Sequence, residues 1–378
     1  MRQVIYGARI FDGVSLLNDR ALVIDGKYIV DLVPVTERPR GLLEHDLGGG
    51  ILSPGFIDAQ VNGGGGVWVN GTPTLEGIRH ILEAHRRYGT THALPTVITD
   101  DPSLLKAALE AGKQAESQLP GYLGLHVEGP FIDPIRAGAH PSHFIRHLTD
   151  SDVEELIAYK AGVMLVTLAP NKVPMLLIEK LAKAGIIVSL GHSEATDTET
   201  LAAIDAGASA VTHLFNAMSP LTHRAAGVVG ATLSDPRVIA GMIADGHHVS
   251  PTAIRVALRA KGPQGLALVS DAMPPAADGP DRYDLKGRTV LKNGTRLALA
   301  DGTLAGSAIT LLDAVRYLVL DLQVEIESAL QMATLTPARM LRVDHKFGRL
   351  AKGFSSSLVH LDDDLMLKSV WIDGLNGY

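Results

Sequence analysis

Short apolar runs alternate with longer amphipathic segments through most of this chain. The runs are GFIDAQV (55–61), THALPTV (91–97), YLGLHVEGP (122–130), VMLVTLAP (163–170), IIVSLGH (186–192), AVTHLF (210–215), VIAGMIADG (238–246) and LALVSDA (266–272). Their length and β-branched content predict buried strands, and the segments between them place apolar groups at helical spacing. Helices are predicted over 75–88, 102–117, 151–161, 174–184 and 196–206. Gly89, Gly162, Gly185 and Gly207 close all but the second, glycine being the residue most favoured just past a helix C-cap. Eight strands separated by mostly helical segments predict an α/β chain folded as a TIM-like (β/α)8 barrel. A doubly wound open sheet is the competing arrangement, but no Gly-x-Gly-x-x-Gly follows the first strand.

Both ends of the chain lack this alternation. Residues 1–50 read as short strands with tight turns, including a hairpin at Asp25-Gly26, and 354–378 return to short strands, SSLVHL and KSVWI. The two ends are expected to pair as one small β-sandwich domain, 1–50 with 346–378, beside a barrel over 51–345. After the eighth strand, 286–304 predict a β-hairpin insertion turning at Asn293-Gly294, followed by helices over 309–321 and 326–342. Gly63–Gly66 predict a flexible turn where the backbone passes close to something.

Composition narrows the chemistry. A hydrophobic content of 46% over 378 residues implies a sizeable core, and only 4% aromatic residues points to aliphatic packing. The net charge of −7 argues against nucleic acid or an anionic membrane as the main partner. No cysteine is present, so disulfides and thiolate metal ligands are excluded. The N-terminal stretch lacks the apolar segment of a signal peptide, and no run approaches the roughly 18 apolar residues of a membrane span. A cytoplasmic protein is expected.

The ends of the predicted strands carry the chemistry. His192 and His213 close strands five and six, 21 residues apart. Glu128 closes strand three, Asp271 closes strand eight, and strand seven leads into Asp245-Gly246-His247-His248. A carboxylate buried at such a place costs several kcal/mol unless it is paired or metal-bound. Glu128, His192 and His213 together make one carboxylate and two imidazoles, a suitable set for Zn²⁺ with open positions for water and substrate, on the face where barrel enzymes work.

Several stretches together resemble one family. They are PGFIDAQVNG (54–63), LHVEGPF (125–131), GAH (138–140), GHS (191–193), THLFNAM (212–218), ADGHHV (244–249), SDA (270–272) and LAGS (304–307). The pattern is similar to the N-acetylglucosamine-6-phosphate deacetylase family of the amidohydrolase superfamily, from first strand to last. THLFNAM and the Glu-Gly-Pro after strand three are the most discriminating. Many members of the superfamily carry His-x-His after the first strand for a second metal, where this chain has Gln60 and Asn62. No lysine ends strand four. The chain therefore resembles the single-metal branch, with Gln60 and Asn62 as vestiges of the second site.

The resemblance implies one divalent ion per subunit, Zn²⁺, on Glu128, His192 and His213. Asp271 would be the proton-transfer carboxylate and His140 the group that helps polarise the substrate carbonyl. Ala139, Asn216, Ala217, His248 and Leu304 would contact a phosphosugar substrate, as would Arg224, in its own site or in that of a neighbouring subunit of a homodimer or homotetramer. On residues alone, Asp271 stays open between catalysis and a helix cap, and Arg224 between a ligand and a surface charge. The implied reaction is hydrolysis of the acetamide of N-acetylglucosamine 6-phosphate. The alternatives are the galactosamine epimer, because no residue identified here reads the C4 hydroxyl, and a non-catalytic relative that only binds partners.

Overall fold

The computed structural model describes residues 2–377. Eight parallel strands form one sheet in sequential order: β1 (Phe56–Val61), β2 (Thr90–Ile98), β3 (Gly124–Glu128), β4 (Val163–Leu168), β5 (Ile187–Leu190), β6 (Ala210–Val211), β7 (Ile239–Met242) and β8 (Leu266–Leu268). β8 returns to β1 without a regular ladder. The seam is closed by the Asp271 N–H donating to the Gln60 carbonyl at 2.9 Å and the Gly63 N–H to that of Ala272 at 2.7 Å. The buried Asp58 carboxylate adds to it by accepting from the Ser270 N–H at 3.2 Å. The expected TIM-like barrel is present, and its helices cover the sheet with Ile78, Ile81, Ile178, Leu181 and Ile254 buried against it in one continuous core.

Local chemistry starts these helices where the pattern predicts. The helix Asp197–Asp205 opens on a capping box: Thr196 accepts from the Glu199 N–H, and Glu199 reaches back to the Thr196 N–H. Thr149 with Asp152 and Thr310 with Asp313 repeat the device. The predicted helix 326–342 is instead two, Ile326–Ala333 and Leu335–Met340. Pro337 has no N–H to bond the Ala333 carbonyl, and the chain breaks at Thr334 (φ −128°, ψ −81°). The stretch predicted over 309–321 begins as the helix Leu311–Arg316 and widens to a π-helical turn over Tyr317–Asp321.

The chain ends build two facing sheets. One, of six strands, interleaves Arg9–Phe11, Leu16–Leu17 and Ile51–Pro54 with Leu358–Leu361, Leu367–Ile372 and Leu375–Asn376. The other holds Arg2–Tyr6, Arg20–Asp25, Tyr28–Pro34 and Leu43–Asp46. Ile5, Leu22 and Ile24 from one meet Ile10, Leu52, Leu358 and Trp371 from the other in a separate core.

Of two expectations near the barrel mouth, one is extended and one corrected. The hairpin predicted over 286–304 is present, Arg288–Asn293 pairing with Arg296–Ala298 across the Gly294 turn, but it is the middle of a four-stranded antiparallel sheet that Arg282–Leu285 and Leu304–Ser307 extend on either side. The outer strand RYDL turns Tyr283 and Leu285 inward and Arg282 and Asp284 outward, an alternation of only four residues that is too short to stand out as a strand. The Gly63–Gly66 turn is fastened rather than flexible. Gly63–Gly64 pair with Val67–Trp68, and the N–H groups of Gly65 and Gly66 donate to the Ala276 and Pro274 carbonyls at 2.9 Å. The glycines are there for close approach: a Cβ on Gly63 would lie 2.4 Å from the Val67 carbonyl oxygen, and one on Gly64 2.5 Å from His85 Nε2.

Candidate active site

The carboxyl ends of β3, β5, β6 and β8 deliver Glu128, His192, His213 and Asp271 to one point. Leaving the sheet there takes unusual backbone: His192, His213 and Asp271 have φ of +48°, +31° and +49°. For residues with a Cβ that region costs on the order of 1–3 kcal/mol each, a strain found mostly at functional sites.

His192 Nε2 and His213 Nε2 each lie 3.1 Å from Glu128 Oε1, and 3.0 Å from one another. All three side chains are buried. His192 Nδ1 sits 2.8 Å from the Arg136 carbonyl oxygen, which only accepts, so Nδ1 carries the proton. With that tautomer His192 aims Nε2 at a carboxylate oxygen and a second imidazole nitrogen. Such a set repels itself unless protons or a cation stand between the atoms. A divalent cation satisfies all three together, and two nitrogens with one oxygen suit Zn²⁺. Glu128, His140 and His192 also fall within 4.8 Å of one another. The set with His213 is the tighter, and His140 has its Nδ1 turned to Thr99 Oγ1 at 2.7 Å.

Burial and charge set the protonation. Burial works against ionised Glu128, but its contacts with His192 and His213 hold it well below the carboxylate range. His213 is shifted the other way: burial disfavours its charge, and contact with Glu128 outweighs that and raises it. Asp271 is pushed up to about 6, by burial first and by the nearby Glu128 charge second. His140 is lowered to about 3 by burial and then by His192, and so is neutral.

Gln60 and Asn62 stand where the superfamily often has histidines, and here they act as donors. Gln60 Nε2 bridges Glu128 Oε1 and Asp271 Oδ1 at 3.1 Å each, and Asn62 Nδ2 donates to the same Asp271 oxygen at 2.6 Å. With Oδ1 so occupied, Asp271 keeps Oδ2 for other partners.

These groups face a cavity of about 190 Å³. Ala139, His140, Asn216, Ala217, His248 and Leu304 line it, as do Asn62 and Asp271. Arg224 does not: it lies in the exposed loop 220–225, with no hydrogen bond or ion pair among the described residues. Sequence reasoning missed Ile98, Met273 and Leu285, which form much of the apolar wall, and Thr99, which holds His140. Thr99 follows β2 directly, so the strand-end reasoning applied there would have found it.

The profile of the amidohydrolase family matches residues 51–376, and that of the NagA composite domain residues 5–52. The chain is 43% identical over 326 residues to the N-acetylgalactosamine-6-phosphate deacetylase of Shewanella sp. (strain ANA-3), covering 86% of this chain and 82% of that one. It is 37% identical to the mouse N-acetylglucosamine-6-phosphate deacetylase, covering 97% and 93%. The crystal structure of N-acetylglucosamine-6-phosphate deacetylase from Pasteurella multocida superposes with a TM-score of 0.96 at 34% identity over the whole of both chains.

Proposed function

The chain belongs to the amidohydrolase family, and on that footing we propose that it removes the acetyl group from an N-acetylhexosamine 6-phosphate. The observation that carries this reading is the cluster of Glu128, His192 and His213, with donor atoms 3.0–3.1 Å apart, beside Asp271 at the base of one cavity. A divalent cation held by these three residues, Zn²⁺ in this reading, supplies a Lewis acid for the acetyl carbonyl and lowers the pKa of a water.

The chain's own groups do the rest. Asp271 Oδ2, left free by the amides on Oδ1, accepts the proton of the attacking water and returns it to the departing amine. That makes the amine a competent leaving group, so one carboxylate serves as base and then as acid. Neutral His140 takes the Thr99 hydroxyl proton in a hydrogen bond at Nδ1 and presents Nε2–H to the acetyl oxygen. At the other end, the Ala217 N–H has no partner among the described residues and is offered to the phosphate beside Asn216. Arg224, exposed and unpaired in its own chain, completes a phosphate site across a subunit boundary in a homo-oligomer.

N-acetylglucosamine 6-phosphate is the substrate of this reading. The 43% identity to the N-acetylgalactosamine-6-phosphate deacetylase of Shewanella favours a second reading, the 4-epimer. Parallel kinetics on the two sugar phosphates, with metal analysis of the purified protein, test both. The larger kcat/KM identifies the substrate. Turnover of neither, in protein carrying about one ion per chain, would remove the deacetylase reading and leave a binding protein.

A further inference from the structure

The loop after β7 holds a carboxylate that the chemistry above leaves unused. The Asp245 side chain is fully buried. Its Oδ1 accepts the N–H groups of His247 and His248, both at 2.8 Å, and its Oδ2 lies 2.7 Å from His248 Nδ1. Burial works against its charge, yet these contacts hold Asp245 below the usual carboxylate range. A carboxylate only accepts, so Nδ1 carries the proton and Nε2 is left for the cavity that His248 lines. The loop is fastened on both sides: a Cβ on Gly246 would lie 3.2 Å from the Tyr317 hydroxyl, and His247 Nε2 is 3.2 Å from Thr295 Oγ1 of the inserted sheet.

We infer that Asp245 is a positioning residue that fixes the tautomer and direction of His248, so that Nε2 meets the phosphosugar. Naming the phosphosugar rests on the substrate reading above; the placement of the proton does not. The same geometry dictates what an amide of equal shape does. Two backbone N–H groups require an oxygen at the Oδ1 position. In Asp245→Asn the carbonyl oxygen takes that place, and the amide nitrogen falls opposite His248 Nδ1. It donates there, so Nδ1 must accept and the ring proton is left on Nε2. The tautomer inverts while the packing stays the same.

The test compares Asp245→Asn, His248→Gln and the double variant with wild type, as metal-loaded enzymes on both sugar phosphates. Asp245→Asn is expected to raise KM roughly tenfold with kcat held within about threefold, the mark of a lost binding contact. The double variant is expected to match His248→Gln alone, because Asp245→Asn keeps an oxygen for the two backbone N–H groups and alters only the partner of that ring. An unchanged KM in Asp245→Asn, or losses that simply add, would overturn the assignment. Nitrogen NMR of ¹⁵N-histidine-labelled wild-type protein reads the proton directly, with the His248 signals assigned by their loss in His248→Gln. A protonated Nδ1 supports the inference, and a bare Nδ1 defeats it even where Asp245→Asn does not fold. If wild type turns over neither sugar phosphate, the substrate reading fails, and the NMR result alone decides the role of Asp245.

Discussion

On the floor of the cavity, Glu128, His192, His213 and Asp271 stand at strand ends, buried, and are joined directly or through Gln60. On its rim, Leu304 belongs to an inserted sheet, and Arg224 stands outside in an exposed loop. The floor takes its geometry from the hydrogen-bonded sheet, so each group has neighbours that hold it in place. The rim takes its geometry from the inserted sheet and from loops; Thr222 and Ala225 close the turn around Arg224, whose side chain has no hydrogen-bond or ion-pair partner among the described residues. Damage to the floor should therefore appear in metal content and kcat, and damage to the rim in KM.

The largest effect tests whether the floor is a metal site at all. His213→Ala removes one of two imidazoles from a three-residue donor set, so it is expected to abolish most metal retention and nearly all turnover. Elemental analysis after dialysis gives the result. Full retention of one ion per chain would move the site away from His213, and two tightly held ions in wild type would end the single-metal assignment.

A smaller effect separates chemistry from binding within the floor. Asp271→Asn keeps the shape of the side chain but cannot accept the water's proton. Its kcat is expected to fall about 10²–10⁴-fold, the usual contribution of a general acid–base group, with metal content and substrate binding retained. Single-turnover kinetics with a direct binding assay checks this. Near wild-type turnover would take Asp271 out of the reaction and break the distinction between floor and rim.

The floor was legible in the sequence for a physical reason. His192, His213, Glu128 and Asp271 each close an apolar run, and packing offers no reason for an imidazole or carboxylate there. The barrel was legible because its strands are buried on both faces and read as unbroken apolar stretches. What stayed hidden depends on side chains meeting across the fold. Gln60 and Asn62 read as weak metal ligands, yet their amide N–H groups hold Asp271, and only the closing of β8 on β1 brings them together. The outer strands of the insertion were lost because RYDL and LAGS are four residues each, too short for their burial pattern to stand out as a period. Gly63 and Gly64 looked flexible for want of the neighbours that press against them.

Arg224 sharpens the comparison most finely, because it lies outside the cavity of its own chain and the proposed phosphate role can be tested from either side of a subunit boundary. An acidic chain that binds a phosphosugar needs local positive charge, and a guanidinium grips two phosphate oxygens in a way lysine reproduces poorly. Charge-assisted hydrogen bonds contribute about 1.5–3 kcal/mol. Arg224→Ala is therefore expected to lower kcat/KM for the sugar phosphate by roughly one to two orders of magnitude, mostly through KM. Unphosphorylated N-acetylhexosamine should be hardly affected, and equal losses on both sugars would make Arg224 a support of the fold. Mixing Arg224→Ala with Asp271→Asn protein then locates the residue. Where the guanidinium crosses between subunits, a heterodimer holds one site with both intact groups and one with neither, and activity reappears on mixing. Where Arg224 serves its own chain, each site stays singly defective, and no activity returns even with subunit exchange demonstrated.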